Sequence, residues 1–145
     1  MKLIVQRVRS ANVKVDDKVT GAIGNGLMTL VGFTHTDTPE TVKYLADRAV
    51  KLRIFEDENG KMNRSLLDVG GSMLIVSQFT LYGDTAHGRR PGFDAAAKPD
   101  QAIPLYEQFI REVEAFGVKV GTGIFGAEML VTLENDGPVT FTLEK

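Results

Sequence analysis

Few side chains in this sequence carry the usual reactive groups. It contains no cysteine and only two histidines, His35 and His87. Without Cys there is no disulfide frame, thiolate zinc site, iron–sulfur cluster or cysteine nucleophile. Both histidines fall in segments that read as loops, and neither has a neighbour at metal-ligand spacing, so solvated loop histidines are the simpler reading. No Walker A lysine motif, H-E-x-x-H or G-x-S-x-G string occurs. The chemistry left to the chain is that of hydroxyls, amides, guanidinium groups and the backbone.

Three stretches concentrate those groups. Ser77-Gln78-Phe79-Thr80-Leu81 sits where an apolar run meets a long polar loop, a common address for reactive groups in α/β proteins. Its plainer reading is hydroxyls bonded to local backbone. Gly121-Thr122-Gly123-Ile124-Phe125-Gly126 matches the dinucleotide string G-x-G-x-x-G, but strand-like residues follow it where a helix is required, which favours a glycine-rich turn. Asn135-Asp136-Gly137-Pro138 lies between two β-rich runs, and Asp-Gly is a strong hairpin signal. Proline directly after the glycine removes a ladder donor, however, and X-Pro bonds are cis in only about 5% of folded cases, so the motif offers more than a turn.

The elements that must position these stretches follow from periodicity. Leu3 to Val8, Val13 to Val15 and Val19 to Ile23 are β-rich around the turn residues Asp16 and Asp17, and Gly26 to Phe33 reads as a strand buried on both faces in mid-sheet. The period then changes to 3.6. Val42, Leu45, Ala46, Ala49 and Leu52 mark a first helix over Pro39 to Leu52, after cap residues Asp37 and Thr38. Met73 to Ser77 is a second buried strand, and Thr80 to Lys98 reads as loop. A second helix runs from about Asp100 to Phe116, with Ile103, Tyr106, Phe109, Ile110, Val113 and Phe116 on its apolar side and Gly117 as its cap; Pro104 fits only in or beside the first turn. Val118 to Gly121, Met129 to Glu134 and Val139 to Glu144 close the chain in β structure. The expectation is a single α/β domain over residues 1–145, three-layered, with a mixed, barrel-like sheet, two helices and the order βββ-α-β-α-βββ.

Composition narrows the class. The chain has 145 residues, 43% of them apolar and 25% charged, as an ordinary globular domain does. Seventeen Lys and Arg against nineteen Asp and Glu give a net charge of −2, which argues against a broadly basic nucleic-acid binder and leaves room for a local patch. No stretch approaches the roughly 18 apolar residues of a membrane span, and the first residues turn polar too soon for a signal peptide, so a cytoplasmic location with no membrane partner is expected.

Together the segments resemble one family across the whole chain. Gln6-Arg7-Val8, Gly60-Lys61-Met62-Asn63, Ser77-Gln78-Phe79-Thr80-Leu81, Arg90-Pro91 with Phe93, Gly123-Ile124-Phe125-Gly126-Ala127 with Met129, and Asn135-Asp136-Gly137-Pro138-Val139-Thr140 are similar, in order and spacing, to the D-aminoacyl-tRNA deacylases. Three positions depart from the family pattern: Gly92 where Ser is usual, His87 where Lys is frequent, and Glu134 where an apolar residue usually precedes the N-D-G-P string.

The resemblance implies a homodimer that takes the 3′ acceptor end of aminoacyl-tRNA, needs no cofactor, metal or DNA, and hydrolyses the ester of a D-amino acid or of mischarged glycine. It implies backbone N–H groups at Phe79 and Thr80 as the oxyanion site, with Ser77 and Gln78 holding that loop. It implies a cis Gly137-Pro138 that reaches into the partner's site and excludes L side chains, held by Arg7. Phe125, Gly126, Ala127 and Met129 would form the adenosine pocket. Apart from the resemblance, the net negative charge leaves phosphate contacts to a local patch, for which Arg89, Arg90 and Lys98, close in sequence, are the candidates. Water attack, oriented by substrate, would suffice without a protein nucleophile. The reading kept beside it is a non-catalytic RNA- or small-ligand-binding dimer of the same fold; a different esterase or amidase is weaker for want of an activated nucleophile.

Overall fold

The computed structural model describes residues 1–145. The chain runs β1 (Lys2–Val15), β2 (Lys18–Ile23), β3 (Gly26–Gly32), α1 (Pro39–Lys51), β4 (Phe55–Glu56), β5 (Met62–Arg64), α2 (Leu66–Val69), β6 (Ser72–Ser77), a 3-10 turn (Phe79–Tyr82), α3 (Pro99–Glu114), β7 (Val120–Thr122) and β8 (Leu130–Glu144). Six strands make one nearly closed, barrel-like sheet of order β2-β1-β3-β6-β7, with β8 also paired to β1.

β1 organises this sheet. It pairs antiparallel with β8 from Lys2 to Lys14, while its other edge is divided between β3, opposite Lys2 to Val8, and β2, opposite Ala11 to Val15. The β1–β2 turn uses Asp16 and Asp17 at φ of 48° and 62°, the left-handed pair that a two-residue hairpin matched to strand twist demands. β3, β6 and β7 run parallel. The curl that brings β2 towards β7 depends on Gly21, where a Cβ would stand 2.5 Å from the Thr122 carbonyl oxygen.

α1 and α3 bury the faces that the 3.6 period marks. Val42, Leu45, Ala46, Ala49 and Val50 of α1, with Ala102, Leu105, Tyr106, Phe109 and Val113 of α3, join Leu3, Val5, Leu27, Val31, Met73 and Ile75 from the sheet in the larger core. A smaller core, containing Val8, Ala11, Val13, Met28, Leu74 and Val76, fills the inside of the curl. Thr38 caps α1, its hydroxyl accepting from Thr41 N–H.

Four expectations need correction. A third helix, α2, is present, started by a capping box in which Ser65 and Asp68 each take the other's backbone N–H. The small β4–β5 hairpin is likewise additional to the expected order. Pro104 lies beyond the first turn of α3, tolerated because it faces solvent, and Ile103 and Phe116 are partly exposed. The two closing β runs are one strand, β8, and Asn135 to Pro138 is a bulge within it and not a hairpin turn.

A buried ion pair ties the ends of the chain to the β3–α1 connection. The Met1 ammonium donates to Asp37 Oδ1 at 2.5 Å and to the Lys145 carbonyl at 2.9 Å, while Asp37 Oδ2 accepts Thr34 N–H at 2.7 Å. Neither charged group reaches solvent appreciably. Removing one partner of such a pair strands the other's charge. Asp37→Ala is therefore expected to cost about 3 kcal/mol or more in urea unfolding, and a loss well under 1 kcal/mol would contradict this account.

Candidate active site

A cavity of about 570 Å³ opens where β6 ends, a volume typical of small-ligand sites. Ser77, Gln78 and Phe79 form one lip, and Phe125, Gly126, Ala127 and Met129 form the facing one, with Ala102 and Lys98 of the α3 start beside them. Lys98 is the sole charged residue in its wall, and no histidine lines it. Two of the three stretches singled out from sequence thus supply the two lips, and the start of α3 supplies a side wall.

Local geometry explains the first lip. β6 is driven into the core by Met73 to Val76, all buried, so its C-terminal end is fixed where the chain emerges. Gln78 N–H still donates to the Val31 carbonyl at 2.7 Å, after which the backbone tightens into the 3-10 turn. Its first internal bond is Leu81 N–H to the Gln78 carbonyl at 3.3 Å, so the N–H groups of Phe79 and Thr80 precede the ladder, as the opening donors of any helical turn do. The Gln78 amide also donates to the Thr80 hydroxyl. Thr80 itself is exposed and does not line the cavity.

The facing lip is a turn. Ala127 N–H donates to the Ile124 carbonyl at 3.2 Å, and Gly126 adopts φ of 76°, a left-handed conformation that favours glycine. The turn directs Phe125 inward and leaves Ile124 about half exposed. Behind Phe125 stands Tyr106, ring centroids 5.7 Å apart, its phenol donating to the Ile75 carbonyl at 2.9 Å. On the outer side Phe79 and Phe93 meet edge to face at 5.1 Å, and both remain substantially exposed.

Arg89 and Arg90 do not join Lys98 at this cavity. They are exposed on the 84–92 loop, closed at its base by paired hydrogen bonds between Asp84 and Gly92. The expected basic patch is therefore divided between a cavity wall and a loop tip, because Lys98 is fixed at the start of α3 while the arginines have no bonded partner holding them there.

Arg7, Gly137 and Pro138 also lie away from this cavity. Gln6 pairs with Thr140 and Val8 with Asn135, so residues 136–139 all oppose Arg7 alone. The Gly137-Pro138 peptide is cis, and both residues are exposed. The Arg7 side chain, 7% exposed, donates through Nε to the Asp136 carbonyl at 3.2 Å and contacts its carboxylate at 3.0 Å, while Nη1 donates to the Ile54 carbonyl at 2.7 Å. Asn135 Nδ2 closes the bulge neck, donating to the Arg7 carbonyl at 3.0 Å and the Val139 carbonyl at 3.2 Å.

Comparison with known proteins agrees with this architecture. A family model described as D-Tyr-tRNA(Tyr) deacylase matches residues 4–144. The chain belongs to that family. It is similar to the D-aminoacyl-tRNA deacylase of Bacillus pumilus (strain SAFR-032), 62% identical over 144 residues that cover 99% of this chain and 98% of the relative. The D-aminoacyl-tRNA deacylase of Thermus aquaticus is 57% identical, with 99% and 95% covered. Among solved structures, the c-Myc DNA Unwinding Element Binding Protein superposes with a TM-score of 0.93 at 38% identity, covering 100% of this chain and 99% of its own. A probable eukaryotic D-amino acid tRNA deacylase shares the fold, with a TM-score of 0.86 at 22% identity and 98% and 97% covered.

Sequence reasoning missed Tyr106, absorbed as one apolar-face residue of a helix, and the staple role of Asn135 and Asp136. Burial pushes the Tyr106 phenol up to about 12, and burial, then the Asp37 and Glu144 charges, raises that of Tyr82 further. A phenol whose pKa is higher in the folded chain stabilises the fold fully below the unfolded value near 10 and loses that contribution as pH rises through the folded value. Ultraviolet titration should therefore leave Tyr82 and Tyr106 un-ionised at about pH 10. Unfolding stability should fall from there to about pH 12, and ionisation of Tyr82 and Tyr106 near pH 10 in folded protein would contradict the burial argument.

Proposed function

We propose that this chain hydrolyses the ester linking a D-amino acid, or mischarged glycine, to the 3′ adenosine of tRNA. The observation that carries the reading is one cavity bounded by the Ser77 to Phe79 strand end and the Phe125 to Met129 turn, in a chain of this family. Phe125, Gly126, Ala127 and Met129 offer aromatic area, close backbone approach and a polarisable thioether, suited to an unstacked terminal adenine. The aminoacyl ester would then lie against the opposite lip.

Hydrolysis requires a water oxygen to add to the ester carbonyl carbon, a negative charge to be held on the former carbonyl oxygen, and the bond to the ribose oxygen to break as that oxygen takes a proton. Backbone N–H groups of Phe79 and Thr80 would hold the charge, fixed by a strand end that needs little reorganisation. Ser77 and Gln78 would keep the turn in place, Gln78 through its bonds to Val31 and Thr80. A ribose 2′-hydroxyl of the substrate would orient the water.

Selectivity for the D hand would come from a second copy of the chain. Gly137 and Pro138 are exposed on a stapled bulge away from their own cavity, geometry suited to entering a partner's site, where their carbonyls would exclude an L side chain and pass the hydrogen of glycine. Arg7 would hold that wall. Lys98 would meet a phosphate near the cavity, and Arg89 and Arg90 phosphates further along the acceptor end. The family match over residues 4–144 supports one domain across the chain; on this reading that domain acts as a homodimer in the cytoplasm, where aminoacyl-tRNA is used.

The 38% identical structure named for binding a DNA unwinding element favours a second reading, a nucleic-acid-binding protein without hydrolytic activity. Incubation with D-Tyr-tRNA and L-Tyr-tRNA separates the two. The deacylase releases free D-tyrosine and spares the L ester; loss of neither ester supports the binding protein.

The role given to Thr80 rests on its backbone, so Thr80→Val should retain most of the single-turnover rate, with a loss under about tenfold from the missing Gln78 contact. Removing a true nucleophile costs several orders of magnitude. Abolished activity in a folded Thr80→Val protein, or an acyl group trapped on Thr80, would overturn the water mechanism.

A further inference from the structure

Tyr106 occupies the middle of α3, one turn after Ala102, which lines the cavity. Its neighbour a turn further on, Phe109, fills the core with no polar atom. Tyr106 differs by a hydroxyl whose one bond, at 2.9 Å, crosses to the Ile75 carbonyl of β6, two residues before the Ser77 lip. Its ring also leans on Phe125 at 5.7 Å with the planes 57° apart. One side chain therefore touches the strand that carries one lip and the aromatic wall of the other.

Phe125 needs such support. It belongs to a turn with one internal hydrogen bond, from Ala127 N–H to the Ile124 carbonyl, and no strand ladder fixes its ring. On the cavity side it faces open space, and Met129, which lines the same cavity, is a flexible side chain. A phenol pinned at its far end is a rigid backstop, whereas an aliphatic side chain would leave the wall free to tilt.

We infer that Tyr106 is a positioning residue for substrate recognition, holding Phe125 at the angle that receives the nucleobase of the acceptor end. The inference rests on the proposed deacylase reading. It predicts its main effect on binding, since the ring contact lies at the wall opposite Ser77 to Phe79, while the bond to Ile75 meets β6 inside its ladder with β3, where Ile75 pairs with Thr29.

The test is a double-mutant cycle on hydrolysis of D-Tyr-tRNA by the full chain. Tyr106→Leu should raise KM about threefold to tenfold, as expected for loss of an aromatic pair, with kcat within about twofold. Phe125→Leu should do the same, the double variant should be no worse than the more affected single one, and Tyr106→Phe, which keeps the ring and loses the pin to Ile75, should give a KM between those of the unmodified protein and Tyr106→Leu. KM increases that multiply in the double variant, or a fall in kcat at unchanged KM, would overturn the inference. A measurement on the unmodified protein covers misfolding of Tyr106→Leu: saturating AMP should shift the Tyr106 ring-proton resonances along with those of Phe125. A Phe125 shift with the Tyr106 ring unmoved would also overturn it. Failure of the unmodified protein to hydrolyse D-Tyr-tRNA would instead remove the proposed function itself.

Discussion

β1 is the constraint on which the rest depends, because both of its edges are committed. β8 takes one edge and β3 and β2 share the other, so a shift of one residue in β1 would turn Leu3, Val5 and Val13 out of the cores and break three pairings together. Register this strongly specified allows β8 to carry a bulge of four residues opposite Arg7 without slipping. Pairing resumes on each side, at Gln6 with Thr140 and at Val8 with Asn135.

Burying the Arg7 guanidinium costs desolvation, which only good geometry offsets. Here the acceptors are the Ile54 and Asp136 carbonyls and the Asp136 carboxylate, with Glu56 at 3.9 Å. A lysine could not reach them in the same way, since its charge is a point and the guanidinium is a fork. Asn135 completes the neck by satisfying two carbonyls that the interrupted ladder would otherwise strand. The free edge of β8 is blunted by the bulge, by Pro138 and by the charges of Glu134, Asp136 and Glu144, the features with which sheets discourage indiscriminate edge pairing.

The helices and the two apolar strands β3 and β6 were legible because their signals are local: periodic burial, a Thr38 cap, unbroken apolar runs bounded by turn residues. The N-D-G-P stretch misled for the same reason. Its residues favour a hairpin locally, and what overrides them is a partner far away in sequence, the continuous β1. Of the site, Ser77 to Phe79 and Phe125 to Met129 could be chosen from the string, yet nothing in the string brings them into one cavity. Tyr106 was visible only as a helix-face residue, because its meaning is a bond to Ile75 and a contact with Phe125. Arg89 and Arg90 were grouped with Lys98 by proximity in sequence, and a helix start and a loop tip separate their duties.

The charge balance fits a site read in this way. Each phosphate neutralised by a protein cation releases counterions and steepens salt dependence, so a protein gripping a long stretch of tRNA would need many basic groups on one face. This chain has a net charge of −2, a single cation in its cavity wall and two more on one loop. Its cavity offers instead an apolar wall, ring faces and backbone donors, groups suited to a nucleoside and an acyl ester rather than to a polyanion. Under the proposed function, recognition confined to the chemical end common to all aminoacyl-tRNAs would leave the tRNA body unread. The discriminating element would then act at the α-carbon of the amino acid, the one centre where a D and an L ester differ. The proposed wall of backbone, held by a buried guanidinium, would suit that task better than a side chain free to change rotamer.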